Sequence, residues 1–182
     1  MKFNDTEFAD LKVIEPTVFK DSRGWFFESY SEKKFAENGI KSEFIQDNHA
    51  LNSDPNTVRG LHFQKPPFEQ AKLVRVVKGA IFDVAVDLRR NSPTFRKWFG
   101  IELTSFNRTM LFVPRGFAHG YLVLKPDTEV LYKVDNLYSP ESEGGIIWND
   151  PELSIDWMVN SPILSPKDAV LPPLSECLNI FL

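Results

Sequence analysis

Two short segments carry the side chains best able to do chemistry, Arg59-Gly60-Leu61-His62-Phe63-Gln64 and Pro114-Arg115-Gly116-Phe117-Ala118-His119. They hold two of the chain's three histidines. Imidazole gains and loses a proton near neutral pH, so two such rings at strand ends suggest proton transfer. The Pro-x-Gly-x-x-His spacing suits the mouth of a small β-barrel, with the ring aimed inward. A catalytic zinc or non-haem iron usually takes about three protein ligands. His62, His119 and Glu69 are a conceivable set. Gln64, however, stands where a metal-binding version would carry a histidine, and His49 belongs to another strand. No bound metal is expected.

Each group also has a plainer reading. A lone strand histidine is more often a core residue bonded to the backbone; Arg59, Gln64 and Lys72 near His62 turn that reading toward a site. His119, flanked by small Ala118 and Gly120, either braces its turn or orients a second group. Tyr132 shares a strand face with Val130 and Val134. It is either a half-buried tyrosine with a satisfied hydroxyl or a general acid opposite His62. Arg23, Arg59, Lys72 and Arg115 are singly ordinary surface cations, but together they can clamp a phosphate or pyrophosphate. Neither GxGxxG nor GxxxxGK[ST] occurs, so no glycine-rich loop serves that purpose. No Gly-x-Ser-x-Gly elbow and no cysteine pair supports nucleophilic catalysis. Cys177, the single cysteine, cannot form an internal disulfide and reads as a packed thiol.

The elements that must position these groups are short strands. Sixteen Phe, thirteen Pro and nine Gly favour strands separated by frequent turns. Strands are expected at 11–19, 24–30, 44–48, 72–77, 80–88, 98–103, 110–113, 120–124 and 129–136, with a further short element at Trp148. One helix is expected over 32–38, with Ser31 as its cap and Gly39 at its stop. In the 80–88 strand, Ala80, Phe82, Val84, Val86 and Leu88 fall on one face. Ile81, Asp83, Ala85 and Asp87 fall on the other, a mixed face such as a pocket wall presents. After Ser161 the chain is Pro-rich and irregular, with a turn or short helix near 166–169. About ten strands with few helices indicate an all-β sandwich or barrel.

The 182 residues fit one domain spanning 1–182. A net charge of −4 argues against general nucleic-acid binding but leaves room for a local basic pocket. No apolar run approaches the roughly 20 residues that span a bilayer, so no membrane partner is expected. The N-terminus lacks the apolar core of a signal peptide, and the protein is read as cytoplasmic.

Taken in order along the chain, the motifs closely resemble those of the dTDP-4-dehydrorhamnose 3,5-epimerase family of the cupin superfamily. The resemblance rests on Asp21-Ser22-Arg23-Gly24 with Phe27-Glu28, Gln46-Asp47-Asn48, Val58 to Gln64, and Lys72 to Val76. It continues through Phe112 to Gly120, Leu131-Tyr132-Lys133, Trp148 to Pro151, and Leu164 to Asp168. It implies a cupin-type jelly-roll β-barrel with a few short helices, a homodimer that exchanges N-terminal strands, and no metal or organic cofactor. It implies epimerisation at C3 and C5 of dTDP-4-keto-6-deoxyglucose on the way to dTDP-L-rhamnose. His62 would be the base, Asp168 its orienting partner, Lys72 the oxyanion stabiliser and Tyr132 the acid. Arg23 and Arg59 would hold the pyrophosphate. Glu28, Gln46, Asn48, His119, Glu143 and Lys167 match contact positions, and Phe26 or Tyr138 would stack on thymine. Relatives that act at one carbon only share this scaffold. A non-catalytic sugar-nucleotide-binding barrel would lack the base, the acid or the lysine, and a metal-dependent cupin enzyme would need a metal.

Overall fold

The computed structural model describes every residue except 178, 179 and 182. Strands β1 (Lys2–Asp5), β2 (Lys12–Glu15), β3 (Phe19–Asp21) and β4 (Gly24–Phe26) precede helix α1 (Glu32–Glu37). Then come β5 (Gln46–Asn52), β6 (Val58–Gln64), β7 (Lys72–Lys78), β8 (Ala80–Asp87) and β9 (Trp98–Thr104). The last are β10 (Met110–Val113), β11 (Phe117–Val123), β12 (Thr128–Val134) and β13 (Glu143–Gly145). One sheet runs β1-β2-β10-β7-β12-β5 and a second runs β13-β6-β11-β8-β9, while β3 and β4 form a separate hairpin. All these pairings are antiparallel. The two sheets face each other as the jelly roll expected from the motifs.

Strand alternation sorts the apolar side chains into three layers. Val74, Val76, Ile81, Ala85, Leu111, Val113, Val123 and Val130 fill the space between the sheets. On the outer side of the five-stranded sheet, Leu61, Phe63, Val84, Val86 and Ala118 are covered by the C-terminal segment through Trp157, Leu174 and Cys177. On the outer side of the six-stranded sheet, Ile14, Leu73, Met110 and Phe112 are covered by Phe35 of α1 and Ile40. Cys177 is thus a packed thiol, as read from the sequence. One end of the inter-sheet space carries polar side chains instead, and there the site lies.

Several boundaries differ from expectation. The strand expected at 44–48 runs Gln46–Asn52. Its inward positions Gln46, Asn48 and Ala50 line the cleft and Asn52 is buried behind Arg59, so the usual apolar alternation is missing. The 11–19 strand is split into β2 and β3, and the 24–30 strand ends at Phe26. Ser31 stands at the N-cap of α1 without a side-chain cap bond. The 120–124 strand begins earlier, at Phe117, and Trp148 lies outside any strand or helix. No described helix is long and apolar enough to cross a membrane.

Candidate active site

His62 and His119 are register partners on β6 and β11. They can be because two glycines let the strands approach closely. A Cβ on Gly60 would stand 2.7 Å from the His119 carbonyl oxygen and 2.8 Å from Gly120 Cα, and Gly60 has φ +106°. Only glycine adopts that backbone freely. The β6–β11 register also shifts between His119 and Tyr121. Val58, Leu61 and Phe63 all pack on the outer side, so the alternation slips once, at Gly60. A regular strand would put Arg59 and His62 on opposite faces; this one puts both against the same cleft.

That cleft has two lobes that share His62, Lys72 and Tyr132. One, of about 460 Å³, adds Arg59, His119, Lys167 and Asp168. The other, of about 320 Å³, adds Gln46, Asn48, Tyr138 and Glu143. His62 comes from the five-stranded sheet, whereas Lys72 on β7 and Tyr132 on β12 come from the six-stranded sheet. The histidine therefore faces the lysine and tyrosine across the cleft.

His62 Nε2 lies 2.6 Å from Asp168 Oδ1. Asp168 opens a 3-10 turn in the C-terminal segment, and its other oxygen accepts from the Gly60 N–H at 3.4 Å. Burial pushes the Asp168 carboxyl up, but His62, Gly60 and Ser165 outweigh it and hold the pKa below the ordinary value. An ionised carboxylate only accepts, so Nε2 carries the proton and Nδ1 keeps its lone pair. Nδ1 of His62 is thereby left free to accept a proton.

The Lys72 ammonium makes no hydrogen bond to a described residue. Burial pulls its pKa down to about 8, against the raising effect of Asp83 and Glu143. Burial raises the Tyr132 pKa, against a lowering by Arg59, so the phenol keeps its proton near neutrality. The buried His119 donates from Nε2 to Asp83 Oδ1 at 2.8 Å. Asp83 is fully buried, and its second oxygen has no partner among the described residues. Along the rim, Glu143 accepts from Tyr138 at 2.7 Å and pairs with Lys167 at 2.5 Å. Gln46 donates to Asn48 at 2.9 Å.

Arg23 and Glu28 lie elsewhere. Arg23 sits in the β3–β4 turn, 88% exposed and bound to Asp21, and Glu28 pairs with Lys34 at 2.8 Å. Arg115 also leaves the proposed phosphate clamp: its Nε donates to Asp135 at 3.0 Å and it lines a different surface. Gln64 is used up on the backbone, donating to Phe68 and Leu137 and accepting from Ser139. His49 points outward and pairs with Glu129. Among the described residues no three His, Cys, Asp or Glu side chains gather as a metal ion requires. Sequence reasoning left Asp83 without a role, although its place on the mixed face of β8 was the available signal. Asn52 and Tyr121, which reach the back of Arg59, gave none.

The profile of the family described as dTDP-4-dehydrorhamnose 3,5-epimerase matches residues 5–176. A Shigella flexneri protein of that name is 50% identical over 164 residues, 90% of each chain. The Bacillus anthracis dTDP-4-dehydrorhamnose 3,5-epimerase, solved with TDP and PPi bound, is 51% identical with a TM-score of 0.93, covering 95% of this chain and 99% of that one. A Legionella pneumophila epimerase in complex with dTDP-4-keto-L-rhamnose is 43% identical with a TM-score of 0.91, covering 96% and 93%.

Proposed function

The chain belongs to the dTDP-4-dehydrorhamnose 3,5-epimerase family, and we propose that it inverts C3 and C5 of dTDP-4-keto-6-deoxyglucose through an enolate, without metal or organic cofactor. The product is the 4-keto sugar that a reductase converts to dTDP-L-rhamnose. The observation that carries this reading is the division of groups across one cleft, with His62 and Asp168 on one side and Tyr132 and Lys72 on the other.

The chemistry follows from that division. A C–H beside a ketone is acidic because the electron pair left behind delocalises onto the carbonyl oxygen. His62 Nδ1 takes the proton from carbon, and the imidazolium formed is stabilised by the Asp168 carboxylate. The Lys72 ammonium meets the charge growing on the C4 oxygen, a contribution of about 3 kcal/mol for a preorganised donor. Tyr132 returns a proton to carbon from the opposite face, which inverts the centre. Before the second carbon reacts, His62 gives up its proton and Tyr132 regains one, so the net proton count is zero. A single group working on one face would only regenerate the substrate.

Arg59 and Lys167 supply positive charge for the pyrophosphate, with Gln46, Asn48, His119, Tyr138 and Glu143 as further contacts. Arg23 and Glu28 lie outside the cleft of their own chain. A homodimer that exchanges N-terminal strands would carry them into the neighbouring cleft. Exposed apolar Leu51 and Val77, on the outer side of the six-stranded sheet, favour such a contact. The reaction is tested by proton NMR of the substrate in D2O with EDTA-treated protein. Loss of both the C3 and C5 signals, with dTDP-L-rhamnose formed on adding a 4-reductase and NADPH, is the expected result. Exchange at one carbon only would make it a mono-epimerase, and no exchange would remove the reading. The strand exchange is tested by mixing inactive Arg23→Ala and His62→Ala proteins, which should regain activity as hybrid dimers; no regain would refute it.

A further inference from the structure

Arg59 is held from behind. Asn52, the last residue of β5, is 3% exposed and opposes Thr128 in the β5–β12 register. Its Nδ2 donates to the Thr128 carbonyl at 3.0 Å. Only the NH2 end of an amide can make that bond, so the other end, Oδ1, is fixed in direction. Oδ1 accepts from Arg59 Nε at 2.6 Å and, at the longer distance of 3.5 Å, from the Tyr121 hydroxyl. Tyr121 is itself the register partner of Arg59. Burial pushes its pKa up to about 12, against the lowering by Arg59 and Asn52, so the hydroxyl remains a donor. Three strands drawn from both sheets thus converge on one buried carbonyl oxygen.

A guanidinium offers an anion two bidentate edges, one that includes Nε and one made of the two terminal nitrogens. Here Nε is taken, and neither terminal nitrogen has a partner among the described residues. We propose that Asn52 is a positioning residue for the nucleotide: it occupies Arg59 Nε from the protein side, so that the guanidinium meets the pyrophosphate end-on, through its terminal nitrogens, in an orientation set before binding. This rests on the reading of Arg59 as a pyrophosphate-binding group. An arginine ordered in advance loses less rotamer freedom on binding, and that difference appears as affinity.

The test is calorimetric titration of dTDP into the wild type, Asn52→Ala, Arg59→Ala and the double variant, with KM and kcat for each. Asn52→Ala should weaken dTDP about tenfold, the coupling usual for groups in direct contact. KM should rise in step, with a smaller loss in kcat. In the Arg59→Ala background the Asn52 substitution should weaken binding no further. Equal weakening in both backgrounds would mean that Asn52 acts through the fold and would overturn the proposal. So would unchanged binding by Asn52→Ala where Arg59→Ala binds poorly. If Arg59→Ala itself binds dTDP normally, the underlying assignment of Arg59 fails instead, and the inference falls with it. A measurement on the intact protein covers the case in which Asn52→Ala does not fold. The Arg59 Nε–H resonance, assigned by its loss in Arg59→Lys, should be protected from exchange and rigid before any nucleotide is added. Rapid exchange and free motion in the ligand-free protein would overturn the proposal.

Discussion

The molecule contains two histidine–aspartate pairs on neighbouring strands, alike in composition and different in setting. His62 is 29% exposed and its partner Asp168 is 5% exposed; His119 is 8% exposed and its partner Asp83 is fully buried. Asp168 arrives from the irregular C-terminal segment with both oxygens engaged. Asp83 arrives from the adjacent strand with one oxygen unmatched, an arrangement that costs about 1–3 kcal/mol. The first pair opens on the cleft with a well-compensated carboxylate, as a reacting base needs. The second is sealed, and its free negative charge acts at a distance, raising the pKa of Lys72 against the pull of burial. The same two residue types thus stand open to the cleft in one place and sealed from it in the other, and on the proposed mechanism that access is what would separate a reagent from an electrostatic support.

Substitutions can break this comparison directly. His62→Ala should lower kcat by about 10⁴-fold with the fold intact, the upper range for removing a general base. His119→Ala should cost roughly tenfold, through misplacement of neighbours; equal losses would erase the distinction. Asp168→Asn should lower kcat by about 10³-fold at every pH, since it disturbs the tautomer and the stabilised imidazolium together.

Gly60→Ala should reach both pairs at once. Its methyl group would meet the His119 carbonyl and Gly120 Cα at under 3.0 Å, in a backbone conformation that L residues rarely adopt. A stability loss of about 2 kcal/mol by denaturant titration, with reduced activity, is expected. The smallest effect should come from Asp83→Asn. Lys72 must be protonated to stabilise an oxyanion, so kcat/KM in the wild type should fall as pH rises through about 8. Removing the Asp83 charge leaves burial less opposed and lowers the Lys72 pKa further. The alkaline limb of the pH profile should therefore move to lower pH, while the plateau changes little. An unmoved limb would detach Asp83 from Lys72.

Much of this was legible in the chain because strand alternation is local. Alternation alone puts Asp83 on the face of β8 that carries Ile81 and Ala85, and Tyr132 on the face of β12 that carries Val130; both faces lie between the sheets. The pairing of His62 with Asp168 was legible only through resemblance, since 106 residues separate them and no spacing rule spans that distance. The shared wall of Arg59 and His62 was hidden because strict alternation contradicts it; Gly60 supplies the slip. The strand ending at Asn52 was placed too early because its inward face is polar. Arg23 and Glu28 belong to recognisable motifs yet stand outside the cleft, paired with Asp21 and Lys34, because the order of motifs along a chain does not report their distance in space.

The most direct test of the central contrast is deuterium incorporation into dTDP-4-keto-6-deoxyglucose in D2O, followed by NMR for His62→Ala and His119→Ala side by side. The account predicts exchange at C3 and C5 with His119→Ala and none with His62→Ala beyond the uncatalysed rate. Persistent exchange with His62→Ala, or its loss only with His119→Ala, would show that the wrong histidine has been taken as the base.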